Sequence, residues 1–486
     1  MELKAAPVVK LDTLSDTNDI GKPRRYEEGG MTVTRAGVWS PPGCHPVGCG
    51  LKVYADESGR LVKVEGDENH PVTQGRLCPR CVALKGYVYN PERIIRPMKR
   101  DPKKRGDATA WETISYDEAF DLIESEYKRL TSQYGRETCV IFSGTGREGG
   151  TMMVYGSSVF RTPNFCYSQS GYACYLPRLA ASSYLLGNPY PEIDYAGALP
   201  GRYDDPAYEV PEVLVVWGKA PLECNADGHF GHSVTDLLKR GTRLVSVDPR
   251  VNWLSTRASV HLRLRAGTDT ALAMAMLNII ISEDLYDHEF VELWTYGFDE
   301  LTERVKEMTP EKAAEICGLD VDDIYLATRM YASAKPASLL WGLAIDQKTN
   351  GMQNGQALIA LMTITGNMDV PGGQLLADVN AGLNEVGFNV EKGIGDILDK
   401  MIGLKEYPAY CNLIFNAQCD MVLKALETGK PYPLKFGFYA GANPLACTSA
   451  EPRRYAKAIA ESLEFGMTID CFMTPSTQAT CDLIFP

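Results

Sequence analysis

The fold is decided by Val213–Trp217, which reads Val-Leu-Val-Val-Trp and is followed at once by Gly218, Lys219, Ala220 and Pro221. Five consecutive apolar residues that end in a glycine-containing loop are typical of a strand that is buried on both faces of a parallel sheet. A segment with helical periodicity comes next and stops at a glycine. The sequence therefore predicts a strand, a loop at its carboxyl end and a covering helix.

The same unit recurs along the chain. Further strand-like segments lie at residues 139–142, 244–247, 260–264, 338–341, 436–439 and 465–469, with helical patterns between most of them. Strands that alternate with helices predict an α/β fold of doubly wound parallel sheets with helices on both faces. A small β-rich region at residues 31–105 precedes these units.

Glycine-bearing or polar loops follow several of these strands. In open parallel sheets, ligands bind at the carboxyl ends of the strands, where the chain places Gly144, Gly218, Asp248, Gly342 and Asn443. The five loops together indicate a long ligand that carries phosphates and heterocycles. The chain has no Walker A pattern, which argues against ordinary ATP binding.

Helix signals are clearest at Ser115, where Ser-Tyr-Asp-Glu forms a capping-box pattern. The helix that it opens is predicted to carry Phe120, Ile123, Tyr127 and Leu130 on one face. We expect this helix to end near the glycine at position 135.

Two cysteine pairs indicate a metal site. Cys44 and Cys49 precede a predicted hairpin at residues 51–64, and Cys78 and Cys81 follow it. Four thiolates from paired short loops suit tetrahedral zinc, and a [4Fe–4S] cluster takes four cysteines at similar spacings. Cysteine spacing alone does not choose between the two metals.

Charge and composition narrow the class of protein. The 486 residues carry a net charge of −13, which argues against nucleic acid or an anionic membrane as the partner. Residues 1–31 have no apolar signal core, and no run of about 18 apolar residues is present. Fourteen cysteines scattered over a large chain fit a reducing cytoplasm better than a disulfide scaffold.

Several short motifs, in this order, resemble those of the dimethyl sulfoxide reductase family of molybdopterin oxidoreductases, from about residue 40 to the last residue. They are Gly75–Arg80, Trp217-Gly218-x-x-Pro221, Val247–Arg250, Gly267-Thr268-Asp269-x-Ala271-Leu272, Gly366-Asn367-Met368-Asp369-x-Pro371-Gly372-Gly373 and Gly441-x-Asn443-Pro444. The resemblance implies a [4Fe–4S] cluster and a molybdenum or tungsten centre with bis(molybdopterin guanine dinucleotide).

The resemblance implies cluster ligands at Cys44, Cys49, Cys78 and Cys81, and an electron-relay role for Arg80. This chain departs from the usual pattern, since Pro42 and His45 stand where the first two cysteines are expected and Cys81 replaces a glycine. Three cysteines with His45, or a degenerate site without a cluster, are the alternatives.

Cys174 occupies the position of the cysteine or selenocysteine metal ligand in members that carry one. A thiolate suits molybdenum or tungsten, whereas a buried structural cysteine is the alternative interpretation. Cys166 is the local competitor for this role. Tyr172 and Tyr175 beside Cys174 are candidate proton donors, with core tyrosines as the plainer interpretation.

The remaining family motifs imply a set of cofactor-binding residues on strand-end loops. An aspartate such as Asp248 can accept from guanine or ribose, and Arg250 can pair with a phosphate. The full implied set is Gly218, Lys219, Pro221, Asp248, Arg250, Gly267, Asp269, Gly342, Gly441, Asn443 and Asp470.

The resemblance also implies a division of the chain. We expect a polar arm at 1–30, an iron–sulfur domain at 31–105, and one α/β domain formed by 106–175 with 337–486 around a second at 176–336. The family's C-terminal barrel domain has no counterpart before residue 486. We therefore expect a truncated frame, half of a split enzyme or a capless relative, with the apolar residues at 484–486 exposing core.

The predicted function is electron transfer between the cluster and the molybdenum or tungsten centre, which reduces or oxidises a small substrate in anaerobic metabolism. A ferredoxin-like iron–sulfur subunit and a separate cap chain are the expected partners. A non-catalytic electron-transfer scaffold without the metal cofactor is the alternative, and a zinc-dependent binding protein is a third.

Overall fold

The computed structural model describes residues 23–38, 49–144, 155–167, 176–187, 190–199, 201–223, 230–377, 393–414 and 416–486. Seventeen strands form four sheets in this part of the chain. The strands are β1 Arg25–Glu28, β2 Met31–Val38, β3 Cys49–Ala55, β4 Leu61–Gly66, β5 Met98–Lys99, β6 Glu112–Thr113, β7 Cys139–Ser143, β8 Phe165–Tyr167, β9 Tyr190–Ile193, β10 Val213–Trp217, β11 Arg243–Val247, β12 Val260–Leu262, β13 Ala337–Trp341, β14 Gln374–Ala377, β15 Phe436–Ala440, β16 Phe465–Ile469 and β17 Leu483–Phe485.

Sixteen α-helices connect or cover these strands in the described ranges. They are α1 Pro79–Val82, α2 Leu84–Val88, α3 Tyr116–Tyr134, α4 Leu176–Leu186, α5 Phe230–Lys239, α6 Asp269–Ser282, α7 His288–Trp294, α8 Phe298–Val305, α9 Pro310–Cys317, α10 Val321–Ser333, α11 Gly351–Ile364, α12 Pro408–Ile414, α13 Cys419–Thr428, α14 Pro444–Cys447, α15 Pro452–Ser462 and α16 Pro475–Thr480. Short 3₁₀ turns lie at Pro102–Lys104, Ala108–Ala110, Arg136–Thr138, Ala196–Ala198, Arg202–Asp204, Ser255–Arg257, Leu343–Ile345 and Leu398–Lys400, and a π-helical turn at Tyr155–Phe160.

A four-stranded antiparallel sheet, β1-β2-β3-β4, forms the N-terminal region. Its central strands β2 and β3 pair from Thr32 with Ala55 to Val38 with Cys49. This register carries Cys49 to the end of the hairpin, where α1 begins at Pro79. Strand β3 also pairs with β4, so the predicted hairpin is confirmed. Cys49 is the first residue of β3, and Cys78 and Cys81 follow β4.

Strand β10, Val213–Trp217, is a central strand of a four-stranded parallel sheet with the order β12-β11-β10-β13. Alternate residues of β10 point to opposite cores because successive side chains of a strand face opposite sides. Val213, Val215 and Trp217 pack with α6 and α11, whereas Leu214 and Val216 pack with α5. Both faces are covered by helices, as a doubly wound sheet requires.

A second, seven-stranded sheet has the order β6-β5-β17-β16-β15-β7-β8. Strands β17, β16, β15, β7 and β8 are parallel, and the short strands β5 and β6 add an antiparallel edge. Helices α13 and α15 cover one face, and α3 covers the other. The predicted α/β architecture with a small β-rich N-terminal region is confirmed, with the small pair β14-β9 beside it.

Helix α3 begins as its capping box predicts. The Ser115 hydroxyl accepts a hydrogen bond from the Glu118 N–H at 3.1 Å, and the helix ends at Gly135. Phe120, on the predicted apolar face, is nevertheless 57% exposed. Phe120 instead lies at the margin of the core, with its ring 5.4 Å from the ring of Phe485.

Two expectations at the chain ends differ from the structure. Residues 25–28, expected in a polar arm, form β1 because Tyr26 and its neighbours pair with β2. The final apolar segment does not expose core: Leu483 and Ile484 are fully buried, since β17 lies between β16 and β5. Every helix in the described ranges is too short or too polar to cross a bilayer.

The burial of β17 generates a stability prediction. We expect Ile484→Ala to lower the free energy of unfolding by about 2–5 kcal/mol, because a fully buried side chain leaves a cavity. Leu293→Ala is the matched control, since this side chain is exposed and should change stability by less than about 0.5 kcal/mol. Urea unfolding of both variants measures the difference, and equal effects would contradict the placement of β17.

Candidate metal and cofactor site

Three of the four predicted cluster cysteines come together. The Cys78 and Cys81 sulfurs are 3.9 Å apart, and the Cys81 thiol also hydrogen-bonds with the Cys49 sulfur. All three side chains are buried. Cys44 lies outside the described residues, and within them no three histidine, cysteine or acidic side chains enclose an ion by themselves. The described thiols thus supply part of a site that needs another ligand.

The two thiols of α1 differ in acidity. Burial raises the pKa of Cys78, but hydrogen bonds from the Cys81 backbone and from the Arg80 side chain and backbone outweigh burial and lower that pKa overall. The hydrogen bond with Cys49, together with burial and the Cys78 sulfur, raises the pKa of Cys81 far above its ordinary value. Arg80 therefore contacts the cluster region and stabilises one thiolate, the form that binds metals.

A polar turn at residues 67–73, between β4 and Cys78, contacts the strands near Cys49. The Thr73 hydroxyl accepts from the Gly50 N–H at 3.1 Å, directly after Cys49, and the Thr73 N–H donates to His70 Nδ1 at 3.0 Å. Asp67, which is buried, forms an ion pair with Arg35 of β2. These contacts fix the turn that follows β4 to the sheet that carries Cys49.

Three predicted residues meet at the carboxyl edge of the four-stranded sheet. Trp217 is in register with Val247 and with Trp341, so that Gly218, Asp248 and Gly342 follow at the same level. The Gly218 N–H donates to the Val247 carbonyl at 3.1 Å, and the Gly342 N–H donates to the Trp217 carbonyl at 3.1 Å. A Cβ on Gly342 would lie 2.5 Å from the Gly218 carbonyl oxygen, so only glycine fits there.

Asp248 organises its own loop. Its carboxylate accepts from the Arg250 N–H at 2.8 Å and from Asn252 Nδ2 at 3.1 Å. Its backbone carbonyl lies 2.9 Å from His261 Nε2. The Arg250 Nε lies 3.8 Å from Asp248 Oδ1, and the Arg250 side chain is 65% exposed, so its guanidinium is accessible to a phosphate.

Asp269 lies behind the same edge and is bound by protein groups. Its carboxylate accepts from Trp217 Nε1 at 2.9 Å and pairs with Lys348. Pro221 is buried, and the Lys219 ammonium lies 4.0 Å from the centre of the Phe230 ring. Gly267 is exposed in the turn before α6. Asp269 and Pro221 thus support the edge from inside, whereas Gly267 faces solvent.

The seven-stranded sheet has an equivalent edge. Ala440 is in register with Ser143 and with Ile469, so Gly144, Gly441 and Asp470 emerge side by side. A Cβ on Gly144 would lie 2.1 Å from the Gly441 carbonyl oxygen, which requires glycine at this close approach.

Polar side chains at this second edge are only partly engaged. Asn443 Oδ1 accepts from the Ser476 hydroxyl at 2.8 Å and holds the start of α16. Asp470 accepts from the Phe472 N–H at 3.2 Å, and burial raises the pKa of Asp470 in spite of the hydrogen bonds from Phe472 and Cys471.

The cluster region is joined directly to the Asp470 loop, a link that the sequence analysis missed. Tyr87 of α2 packs edge-on against Phe472, with ring centres 5.4 Å apart, and its hydroxyl hydrogen-bonds with Cys471. The Ile94 N–H donates to the Cys471 carbonyl at 2.9 Å. Since Tyr87 and Cys471 are far apart in sequence, local patterns carry no signal for this contact.

A buried ion pair is the second feature that the sequence analysis missed. Arg178 of α4 and Asp346 are 2.8 Å apart, and their side chains are 4% and 0% exposed. Asp346 follows the 3₁₀ turn that begins after Gly342. The start of α4 is therefore fixed to the binding edge of the four-stranded sheet.

Several predicted site residues lie outside the described residues. They are the proposed metal ligand Cys174, the tyrosines Tyr172 and Tyr175, and the glycine-rich segment 145–150 that follows β7. Cys166, the competitor of Cys174, is fully buried on β8, and its sulfur is 3.7 Å from that of Cys419.

The chemistry of these groups fits an iron–sulfur cluster and a dinucleotide cofactor. Buried converging thiols suit the soft metal of a cluster. Two sheet edges with close-packed glycines and accessible polar groups suit the phosphates and rings of a long ligand. Cys49, Cys78 and Cys81 would hold the cluster, and the two edges would hold the two halves of the cofactor.

The close glycine contacts generate a prediction. We expect Gly144→Ala and Gly342→Ala each to cost about 1–3 kcal/mol of stability, because the added methyl group overlaps a backbone carbonyl. Each variant should also bind less pterin per chain. Gly37→Ala is the control, since a Cβ there meets nothing within 4 Å. Urea unfolding and pterin fluorescence test this, and values equal to those of the control would contradict tight packing at the edges.

The cysteine geometry generates a second prediction. We expect Cys81→Ser to lose most of the roughly four iron atoms of an anaerobically reconstituted [4Fe–4S] cluster, because this buried thiol contacts two other ligand candidates. Cys447→Ser, at an exposed cysteine, should keep its iron. Iron content and electron paramagnetic resonance of the reduced proteins measure the outcome. Full iron in Cys81→Ser would show that another residue completes the site.

Comparisons with known proteins agree with this arrangement. The Molybdopterin oxidoreductase family model matches residues 93–486, and the Molybdopterin oxidoreductase Fe4S4 domain model matches residues 42–90. The chain is 28% identical over 468 residues to acetylene hydratase of Syntrophotalea acetylenica, covering 90% of this chain and 61% of that protein. It is 29% identical over 470 residues to formate dehydrogenase H of Escherichia coli, covering 90% and 60%.

A solved structure titled acetylene hydratase from Pelobacter acetylenicus matches with a TM-score of 0.78 at 26% identity, covering 93% of this chain and 63% of that one. The chain thus spans about three fifths of the length of these relatives. Family membership implies the [4Fe–4S] cluster and the molybdenum or tungsten bis(molybdopterin guanine dinucleotide) cofactor. The family match covers most of the chain, and the chain belongs to the molybdopterin oxidoreductases.

Proposed function

We propose that this chain is the catalytic part of a molybdopterin oxidoreductase that reduces or oxidises a small substrate in anaerobic metabolism, with a reductase or dehydroxylase as the favoured case. The observation that carries the proposal is the joining of the thiol site to the Asp470 loop through Tyr87 and Ile94. The thiol site would receive electrons, and the edge with Asp470 would hold the cofactor. Direct contact between the two regions favours electron transfer from one to the other. When bound, the cofactor supplies a metal that cycles between oxidation states.

The chain's own residues have separable roles in this proposal. Cys49, Cys78 and Cys81, with Cys44, hold the cluster. Arg80 adds a positive charge beside the Cys78 sulfur, which balances the negative charge of thiolate ligands and acts as the electron relay.

At the cofactor edges, Arg250 offers an exposed guanidinium to phosphate. The loops around Gly218, Asp248 and Gly342 receive one half of the cofactor. Gly441, Asn443 and Asp470 receive the other half. Asp470, whose pKa is raised by burial, is proposed to hydrogen-bond a heterocycle of this half.

We further propose Cys174 as the thiolate ligand of molybdenum or tungsten. The supporting observation is the buried pair of Arg178 with Asp346, which fixes the helix that follows Cys174 in sequence to the edge at Gly342. Tyr175 is proposed to donate a proton to the substrate.

The proposal includes the expected setting of the chain. Two interleaved cofactor-binding domains, 106–175 with 337–486 and 176–336, are proposed to enclose the cofactor. The relatives include formate dehydrogenase subunits described as alpha subunits and a molybdopterin-containing subunit of thiosulfate reductase. A ferredoxin-like iron–sulfur partner is proposed on this basis, and a cytoplasmic location is proposed from the scattered free cysteines.

The ligand role of Cys174 is tested by Cys174→Ala in the anaerobically purified holoenzyme. We expect its iron and pterin content to stay at the wild-type level while the molybdenum or tungsten resonance spectrum changes. Turnover coupled to benzyl viologen, with formate, thiosulfate, dimethyl sulfoxide or a catechol, should fall by at least about tenfold. Cys447→Ala is the control at an exposed cysteine. An unchanged metal spectrum in Cys174→Ala would remove Cys174 as a ligand.

A further inference from the structure

A surface next to the thiol site has a charge opposite to that of the whole chain. Residues 76–100 contain seven basic residues and one acidic residue, whereas the complete chain has a net charge of −13. Some of these cations are neutralised or engaged in the fold: Lys99 pairs with Glu118, and Arg100 is buried among backbone carbonyls.

The remaining cations of this segment are exposed or half-buried. Lys85 and Arg96 are exposed and Arg93 is half-buried, and none of the three forms an ion pair with any residue of the described ranges. The positive potential of this surface is therefore directed to solvent.

Apolar side chains lie between these cations. Val82 is 59% exposed and Ile95 is 76% exposed. Lys85 and Val88 are three residues apart on α2 and lie on one helical face, and Val82 is the last residue of α1. The Arg93 guanidinium lies 5.2 Å from the centre of the Tyr87 ring, so the segment with Ile95 and Arg96 is adjacent to α2.

We call Val82, Lys85, Val88, Ile95 and Arg96 the basic patch. An apolar centre with unpaired charges of one sign is typical of a surface that binds a partner of the opposite charge. Cys81, a buried candidate cluster ligand, directly precedes Val82 in α1. The basic patch thus begins at the residue next to a candidate cluster ligand.

We propose that the basic patch is the docking surface for an acidic iron–sulfur electron carrier. The proposal rests on the proposed function, and the charge of the patch selects the partner. A second copy of this acidic chain is the alternative occupant. An acidic carrier fits better because docking at Cys81 brings its own cluster next to the thiol site, where electrons are needed.

The experiment compares Lys85→Glu/Arg96→Glu with Arg453→Glu/Lys457→Glu, which makes the same charge change at exposed residues of α15. The probe is an acidic bacterial 2[4Fe–4S] ferredoxin, and its affinity for the anaerobic holoenzyme is measured by calorimetry at low and high salt. We expect the patch variant to bind about tenfold more weakly at low salt and the control to bind as the wild type does. Wild-type affinity should fall as salt rises.

Turnover with the small dye benzyl viologen separates this proposal from the proposed function. Both variants should keep wild-type dye-coupled turnover, because neither changes a ligand or a cofactor contact. If the wild type shows no dye-coupled turnover but binds ferredoxin through the basic patch, the proposed function is wrong and the docking surface is supported.

Two results would overturn the docking surface. The first is equal ferredoxin affinity of the patch variant and the wild type. The second is a wild-type dimer in sedimentation experiments that Lys85→Glu/Arg96→Glu dissociates, since the patch would then bind a second copy. Ile95→Ser should weaken ferredoxin binding without changing its salt dependence, because it removes apolar contact and no charge.

Discussion

The register of the parallel strands is the constraint on which the rest of the structure depends. In the first sheet, β10 ends at Trp217, in register with Val247 and Trp341, the last residues of its neighbours. In the second sheet, β15 ends at Ala440, in register with Ser143 and Ile469. A shift by one residue would turn the buried side chains of a strand to the wrong core. Burial on both faces therefore fixes where each strand ends, and it brings loops that are distant in sequence to one edge.

The loops at these edges are held by backbone contacts that leave no room for side chains. Gly342 and Gly144 each approach a carbonyl of the neighbouring loop, and the buried pair of Arg178 with Asp346 fixes a helix to the first edge. The iron–sulfur region depends on the second edge, since Tyr87 and Ile94 both contact Cys471. The two proposed redox sites are consequently parts of one packed arrangement.

Local patterns in the sequence predicted much of this. Apolar runs located the central strands, capping signals located α3, and strand ends placed Gly218, Asp248 and Gly342 together, because each depends on nearby residues or on a general rule of parallel sheets. Contacts between distant segments gave no such signal. The pairing of Arg178 with Asp346 joins residues 168 apart, and the place of β17 between β16 and β5 depends on the order in which strands assemble.

Phe120 illustrates the same limit on a helix. Helical periodicity identified its face correctly for Leu130, which is fully buried, but the core ends before it reaches Phe120. Whether a residue on the apolar face is buried depends on the elements that pack against the helix. The periodicity of the helix sequence carries no information about those elements.

The central claim is that one chain holds both an iron–sulfur cluster and a molybdopterin-bound metal. The most direct test is the metal and pterin content of protein purified without oxygen. We expect about four iron atoms and about one molybdenum or tungsten atom per chain, with guanine nucleotide released on denaturation. Iron without molybdenum or tungsten, or zinc in place of iron, would contradict it.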